Sequence, residues 1–202
     1  MKILETSRLI LRYLTKDDLD NLVILDSDPD VMRFINGGIP VAREAIAKNF
    51  LPYVTSYNQR DDGLGFWAIL TKSDREFIGW IFLRPEVDFE LLQRLNLAES
   101  NAIELGYRIR KRSWSKGYTT EASLALVHKS FAEFNTQKIV AWALAENKAS
   151  IRVMEKIGME LQQKYIVTAD MLLDTSLLGS SLVQNLLNRQ IVKYKINKLS
   201  SI

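Results

Sequence analysis

Apolar and polar positions along this chain switch repeatedly between a strand period and a helix period. Leu9-Ile10-Leu11-Arg12-Tyr13-Leu14 predicts an early strand. Thr15 followed by Asp18 has the pattern of a capping box and predicts a short helix through Leu25. After the turn-like Asn36-Gly37-Gly38, Ala45, Ile46, Phe50 and Leu51 keep helical spacing between Ala42 and about Val54. Three strand-like segments follow, Phe66 to Thr71, Glu76 to Arg84 and Ala102 to Arg110, and an antiparallel meander is expected. The connection from Glu86 to Asn101 exceeds what a hairpin needs, and Phe89-Glu90-Leu91-Leu92 predicts a short helix within it. Such an excursion is either a surface insertion or a functional loop.

The second half reads as alternating helices and strands. Thr120 to Phe134 predicts an amphipathic helix with Leu124, Val127, Phe131 and Phe134 on one face. Lys138 to Ala145 predicts a strand, and Ala149 to Ile157 a helix stopped by Gly158. Met159 to Val167 and Gln190 to Ile196 predict two closing strands, with a leucine-rich inserted helix over about 169–188 between them. The order from Ala102 onward implies an α/β (α+β) core with some parallel pairing. No repeat or linker divides the chain, so residues 1–202 read as a single domain.

Composition narrows the chemistry by exclusion. The chain has no cysteine, which removes disulfides, thiolate metal sites and a cysteine nucleophile. One histidine, His128, cannot build a histidine metal cluster, and its mid-helix position reads as structural. No metal is expected. The net charge of +3 suits an anionic cofactor and is too small to argue for nucleic acid. No apolar run approaches the roughly 20 residues of a membrane span, and the N-terminus has no signal-peptide pattern. A cytoplasmic protein without membrane partners is the expectation.

The segment from Arg112 to Glu121 carries the candidate chemistry. It follows a strand and runs into the long helix, whose N-terminus offers unpaired N–H groups and a partial positive charge. Gly117 lets backbone approach a ligand, Thr119 and Thr120 add hydroxyls, and Arg112 and Lys116 add positive charge. By itself this junction is either a packing device or a phosphate site.

Arg112-x-x-Ser115-x-Gly117, with Trp114, Tyr118 and Thr120-Glu121-Ala122 around it, resembles the acetyl-CoA motif of GNAT acetyltransferases, in particular the RimJ/RimL-like branch. Other matches fall in family order: Leu4-Glu5-Thr6-Ser7-Arg8-Leu9-Ile10-Leu11-Arg12, Ile78-Gly79, Glu104-Leu105-Gly106-Tyr107 and Asn147 to Met159. The resemblance implies a mixed sheet of about seven strands, splayed between the fourth and fifth, with about four helices. It implies acetyl-CoA as cofactor, coenzyme A as product and an amine acceptor. The acceptor is a protein N-terminal α-amine or a small amine. Separately, the density of leucine over about 169–188 leaves open packing on the domain's own core, a homodimer contact or a lid over the cleft, of which a dimer or lid role is the expectation. Ser115 stands where the family has its first motif glycine, which restricts positive φ there.

The resemblance also assigns roles. A bulge near Leu105, Gly106 and Tyr107 would aim a backbone N–H at the thioester oxygen. Backbone groups of Tyr107 and Ile109 would follow the pantetheine arm, and Arg112, Trp114, Ser115, Lys116, Gly117, Tyr118, Thr119, Thr120 and Asn147 would hold the cofactor. The family's usual tyrosine acid corresponds to Met154, so Ser150 becomes the candidate acid and Glu104 the candidate base. Ser150 also reads as a helix hydroxyl bonded to its own backbone, and Glu104 as a surface carboxylate. The departures at Ser115 and Met154 leave a second function open, a non-catalytic acetyl-CoA-binding regulatory module.

Overall fold

A computed structural model of the protein describes residues 3–60, 62–172 and 178–198. Eight strands form one sheet in the order β1-β2-β3-β4-β5-β6-β8-β7. β1 (Ile3–Glu5), β2 (Leu9–Tyr13), β3 (Gly65–Thr71), β4 (Phe77–Pro85) and β5 (Ile103–Ile109) make a continuous antiparallel run. β6 (Lys138–Leu144) pairs in parallel with β5, while β7 (Glu160–Ile166) and β8 (Gln190–Asn197) complete the far side with β8 between β6 and β7. The additional strand is β1, three residues long, so the splay expected between the fourth and fifth strands falls between β5 and β6.

Helices cover both faces. One carries α1 (Leu19–Asp26), α2 (Pro29–Asn36), and a run made of α3 (Arg43–Ala45), a π-helical turn at Ile46–Phe50 and α4 (Leu51–Ser56). The capping box opens this layer as expected, with Asp18 Oδ2 accepting from Thr15 N at 2.9 Å. Helix α2 was not among the sequence expectations, although Asp28-Pro29 is a readable start. Asp28 Oδ1 accepts from Asp30 N at 2.9 Å, and Pro29 occupies a first-turn position where no N–H is missed. Short α5 (Glu90–Arg94) lies in the β4–β5 connection.

The opposite face carries α6 (Tyr118–Glu133) and α7 (Lys148–Lys156). The buried stripe of α6 is Ala122, Ser123, Leu126, Val127 and Ser130, rotated from the expected one; Leu124 and Phe131 are only half-buried. Small residues there let the helix lie close to the sheet. His128 is exposed.

The predicted insertion over 169–188 is not one helix among the described residues. It contains a single 3-10 turn at Ala169–Met171 and α8 (Ser181–Leu186), while Leu173 and Leu177 lie outside the described residues. Leu172, Leu178, Leu182, Leu186 and Leu187 pack into a second apolar cluster with Leu91, Leu95, Leu144, Val167, Val183 and Ile191. The leucines therefore cover the domain's own core. No helix among the described residues is long and apolar enough to cross a membrane.

Between these layers lies a buried ionic knot. Lys193, 1% exposed, contacts both oxygens of Glu86, itself fully buried, at 2.8 and 2.9 Å. Its Nζ also lies 2.7 Å from Glu99 Oε1. Glu86 further accepts from Trp142 Nε1 at 2.6 Å and from the backbone N–H of Glu99 at 2.7 Å. The long β4–β5 connection is thereby fastened to β6 and β8.

Candidate active site

Strand β5 is shared between the two halves of the sheet only at its start. Its parallel pairing with β6 covers Ile103↔Ile139 and Glu104↔Val140, and no pair follows. Arg110 N donates to Ile78 O, and Glu86 N to Ala102 O. In an antiparallel ladder the hydrogen-bonded positions alternate, so even-numbered residues of β5 face β4. The backbone groups of Leu105, Tyr107 and Ile109 then face the gap beside β6. The register from Gly79↔Ile109 to Pro85↔Ile103 is unbroken, so the expected bulge is absent. Gly106 has its backbone turned to β4, and its missing side chain has a packing cause: a Cβ there would lie 2.3 Å from the Phe82 ring.

The loop and helix at the end of this gap carry the anion-binding candidates. Ser115 has φ +59° and Gly117, the N-cap of α6, has φ +79°. Serine thus occupies the left-handed region, at a cost of about 1–2 kcal/mol relative to an ordinary conformation. The first intrahelical bond at this end is Glu121 N to Gly117 O at 3.0 Å, which leaves the N–H groups of Tyr118, Thr119 and Thr120 without intrahelical acceptors. Lys116 is exposed beside them. Arg112 is exposed but ion-paired with Glu76, a contact that turns its guanidinium toward the β3–β4 turn. Trp114 Nε1 donates to Ile109 O at 2.8 Å, so the Ile109 carbonyl is already engaged.

Two further residues define this loop and were read in the sequence only as part of motifs. Arg8 Nη1 donates to Lys116 O at 2.9 Å, and its guanidinium lies 4.6 Å from the centre of the Tyr118 ring. Glu121 Oε1 accepts from Thr6 Oγ1, Ser7 Oγ and Arg8 N at 2.6–2.9 Å, and Oε2 accepts from Arg8 Nε at 2.7 Å. Partial burial alone would raise the carboxyl pKa, but the hydrogen bonds from Thr6 and Arg8 outweigh it and pull it down to about 2. A carboxylate depressed in the folded state stabilises above its unfolded pKa, and that contribution is lost as pH falls toward 2. Replacing Glu121 with Gln is expected to cost about 1–2 kcal/mol at neutral pH through loss of charge-assisted bonds. It should flatten the acid limb of stability between about pH 5 and 2. Urea unfolding across pH checks both effects.

On the α6–α7 face of the gap, Tyr107 meets Ser150. The Tyr107 hydroxyl lies 3.0 Å from Ser150 Oγ and donates to Ser150 O at 3.1 Å. Burial pushes the Tyr107 pKa up to about 12, against a smaller lowering by Ser150, so the phenol stays protonated at neutral pH. Asn147 caps α7 by accepting from Ser150 N at 3.2 Å. Met154 is buried in the core, 1% exposed.

Glu104 lies on the other face of β5, buried, with Oε2 2.7 Å from both Arg84 Nε and Nη2. It is therefore not a surface carboxylate, and burial raises its pKa despite the opposing pull of Arg84. Arg84 also reaches Tyr53 Oη at 3.4 Å. Tyr53 lines a cavity of about 450 Å³ between α1, α2, the α3–α4 run, β5 and α8. Ile46, Asn49 and Phe50 of the π-helical turn line it too, as do Asp26 and Arg108, which the sequence did not single out. Ser181 and Leu182 of α8 complete the wall. The structure thus puts Ser150 and Tyr107 on one side of β5, Glu104 and the cavity on the other, and the gap where the two faces meet.

Comparison with known proteins gives consistent results. The acetyltransferase (GNAT) domain family matches residues 8–160. An uncharacterised Bacillus subtilis protein, YkkB, is 31% identical over 160 residues, 77% of this chain and 84% of its own length. A GNAT-family acetyltransferase structure from Bacillus anthracis superposes with a TM-score of 0.73 at 22% identity, covering 97% of this chain and 98% of that one. RimL, an alpha-N-protein acetyltransferase solved in complex with coenzyme A, superposes with a TM-score of 0.71 at 15% identity, over 97% and 98% of the two chains. At these identities the two structures speak for the fold.

Proposed function

Because this chain belongs to the acetyltransferase (GNAT) domain family, we propose that it moves the acetyl group of acetyl-CoA to a primary amine by direct attack. The observation that carries this reading is the convergence on the β5–β6 gap of a paired hydroxyl donor, unpaired strand backbone and a helix N-terminus. Acetyl-CoA would supply the activated acyl group.

The chain's own residues divide the work. The free N–H groups of Tyr118, Thr119 and Thr120, with Ser115, Lys116 and Gly117, hold the pyrophosphate. The backbone of Leu105 and Tyr107 offers the donors that a polarised carbonyl oxygen needs, and Asn147 flanks the arm. Ser150 gives its proton to the departing sulfur, and the Tyr107 phenol, held neutral by burial, supports that hydroxyl. Glu104, its pKa raised by burial, takes the proton from the amine directly or through a water.

The test is free-thiol release from acetyl-CoA with a panel of peptides, polyamines and amino sugars. Release with at least one amine is expected, falling as pH drops through the raised Glu104 pKa. Tight coenzyme A binding with no thiol released by any amine would instead identify a binding module, the reading favoured by the strained Ser115 and by Met154.

A further inference from the structure

The cavity beside β5 contains two ionised side chains, and they oppose each other. Arg108 Nη1 lies 2.6 Å from Asp26 Oδ1, with side chains 15% and 5% exposed. The rest of the lining is apolar, as at Met32, Phe50 and Leu182, or neutral, as at Asn49. Among the described residues the lining is formally neutral, although a site built for cations would carry uncompensated carboxylates. The pair is also unsaturated. Arg108 Nε and Asp26 Oδ1 are both buried without a hydrogen-bond partner, the close approach of the charges lacking hydrogen-bond alignment. Both atoms are closed off from the cavity, so the pair bears on a ligand through its balance of charge and not through bonds to those atoms.

We propose that the Asp26–Arg108 pair is the specificity determinant for the acceptor, and this rests on the transferase reading above. The acceptor it selects is a monoamine whose remaining body is apolar and uncharged. A second ammonium finds Asp26 already compensated and Arg108 repelling it. A carboxylate meets Asp26 in the same way. Either charge meets a mostly apolar wall where, among the described residues, no countercharge is free. Glu104 adds none, since Arg84 neutralises it on the same face of β5.

Three probes separate these cases: leucinamide, the zwitterion leucine and the polycation spermidine. Binding of each is measured by calorimetry on the coenzyme A-loaded protein, independent of turnover. Leucinamide is expected to bind about tenfold or more tightly than the other two. Arg108→Gln frees the Asp26 charge and should move the order toward spermidine; Asp26→Asn should move it toward leucine. Equal or tighter binding of spermidine or leucine to the parent protein overturns the proposal, and so does the absence of binding by all three. An unchanged order in folded variants does the same; if a variant does not fold, the parent order decides alone. Selective leucinamide binding with no thiol released by any amine of the panel would sink the transferase reading and leave the pocket's selectivity standing. Equal thiol release from all three would do the reverse.

Discussion

Replacing Ser150 with alanine is expected to lower kcat about 10²-fold while the dissociation constant of acetyl-CoA stays within about twofold. The expectation follows from what the exchange removes and what it keeps. It removes the one hydroxyl within hydrogen-bond reach of Tyr107 on the α7 side of the gap. It keeps the Ser150 backbone N–H that Asn147 caps and the Ser150 carbonyl that accepts from Tyr107. Helix α7 therefore starts as before, and the loop around Gly117 proposed to hold the pyrophosphate is untouched. Tyr107→Phe should also reduce kcat, by about tenfold or more, because it strips the support from the Ser150 hydroxyl. The double variant should be little slower than Ser150→Ala, since the two hydroxyls act as a unit. Steady-state kinetics with titration of coenzyme A provides the check. A Ser150→Ala enzyme at full speed would return Ser150 to the role of an ordinary helix hydroxyl.

The second large effect concerns stability. Lys193→Met is expected to destabilise the fold by about 3–5 kcal/mol, because it strands a buried carboxylate. Glu86 keeps its bonds from Trp142 and the Glu99 backbone but loses its only described countercharge. For a chain of this size that is a fall in Tm on the order of 10 °C. Adding Glu86→Gln should recover part of the loss, since the stranded charge is then gone although the single amide oxygen can keep only one of the two accepted hydrogen bonds. Differential scanning calorimetry of the single and double variants measures the coupling. The knot also confers acid sensitivity. Burial opposes ionisation of Glu99, yet hydrogen bonds from Lys138, Lys193 and Gln162 bring its pKa to about 2. Its contribution is therefore present above the ordinary carboxylate range and lost as pH falls toward 2.

How much of this was legible in the sequence differs between elements. Strands β2 to β6 and β8 follow from apolar runs bounded by turns, because a sheet buried on both faces leaves that signature. By contrast, β7 is a largely exposed edge strand without such a run. The strand, loop and helix start around Arg112 to Glu121 were legible because Gly117 sits directly before a long helical period. Asn147 and Ser150 were legible as a helix start. The buried stripe of α6 was not, since Ala122, Ser123 and Ser130 are chosen for closeness to the sheet and carry no strong apolar signal. Nor was the pairing of Tyr107 with Ser150, 43 residues away, nor that of Arg8 with Glu121, 113 away. Contacts of that kind are set by strand order. Asp26 and Arg108 share the same invisibility: each is an ordinary charged residue until the fold seats both in one cavity. The absent bulge is a different case, because Gly106 serves the Phe82 ring and the strand has no need to kink.

The two-residue ladder between β5 and β6 has one more consequence. A sheet normally has two edges, and this one has four, because the strands that part after Glu104 each turn an unpaired rim inward. Unpaired rims are templates on which foreign strands assemble. An extended pantetheine arm lying along β5 would act as a surrogate strand and close one of them. Ligand-free protein should therefore be the more aggregation-prone species, with coenzyme A protecting it as a neighbouring strand protects an edge.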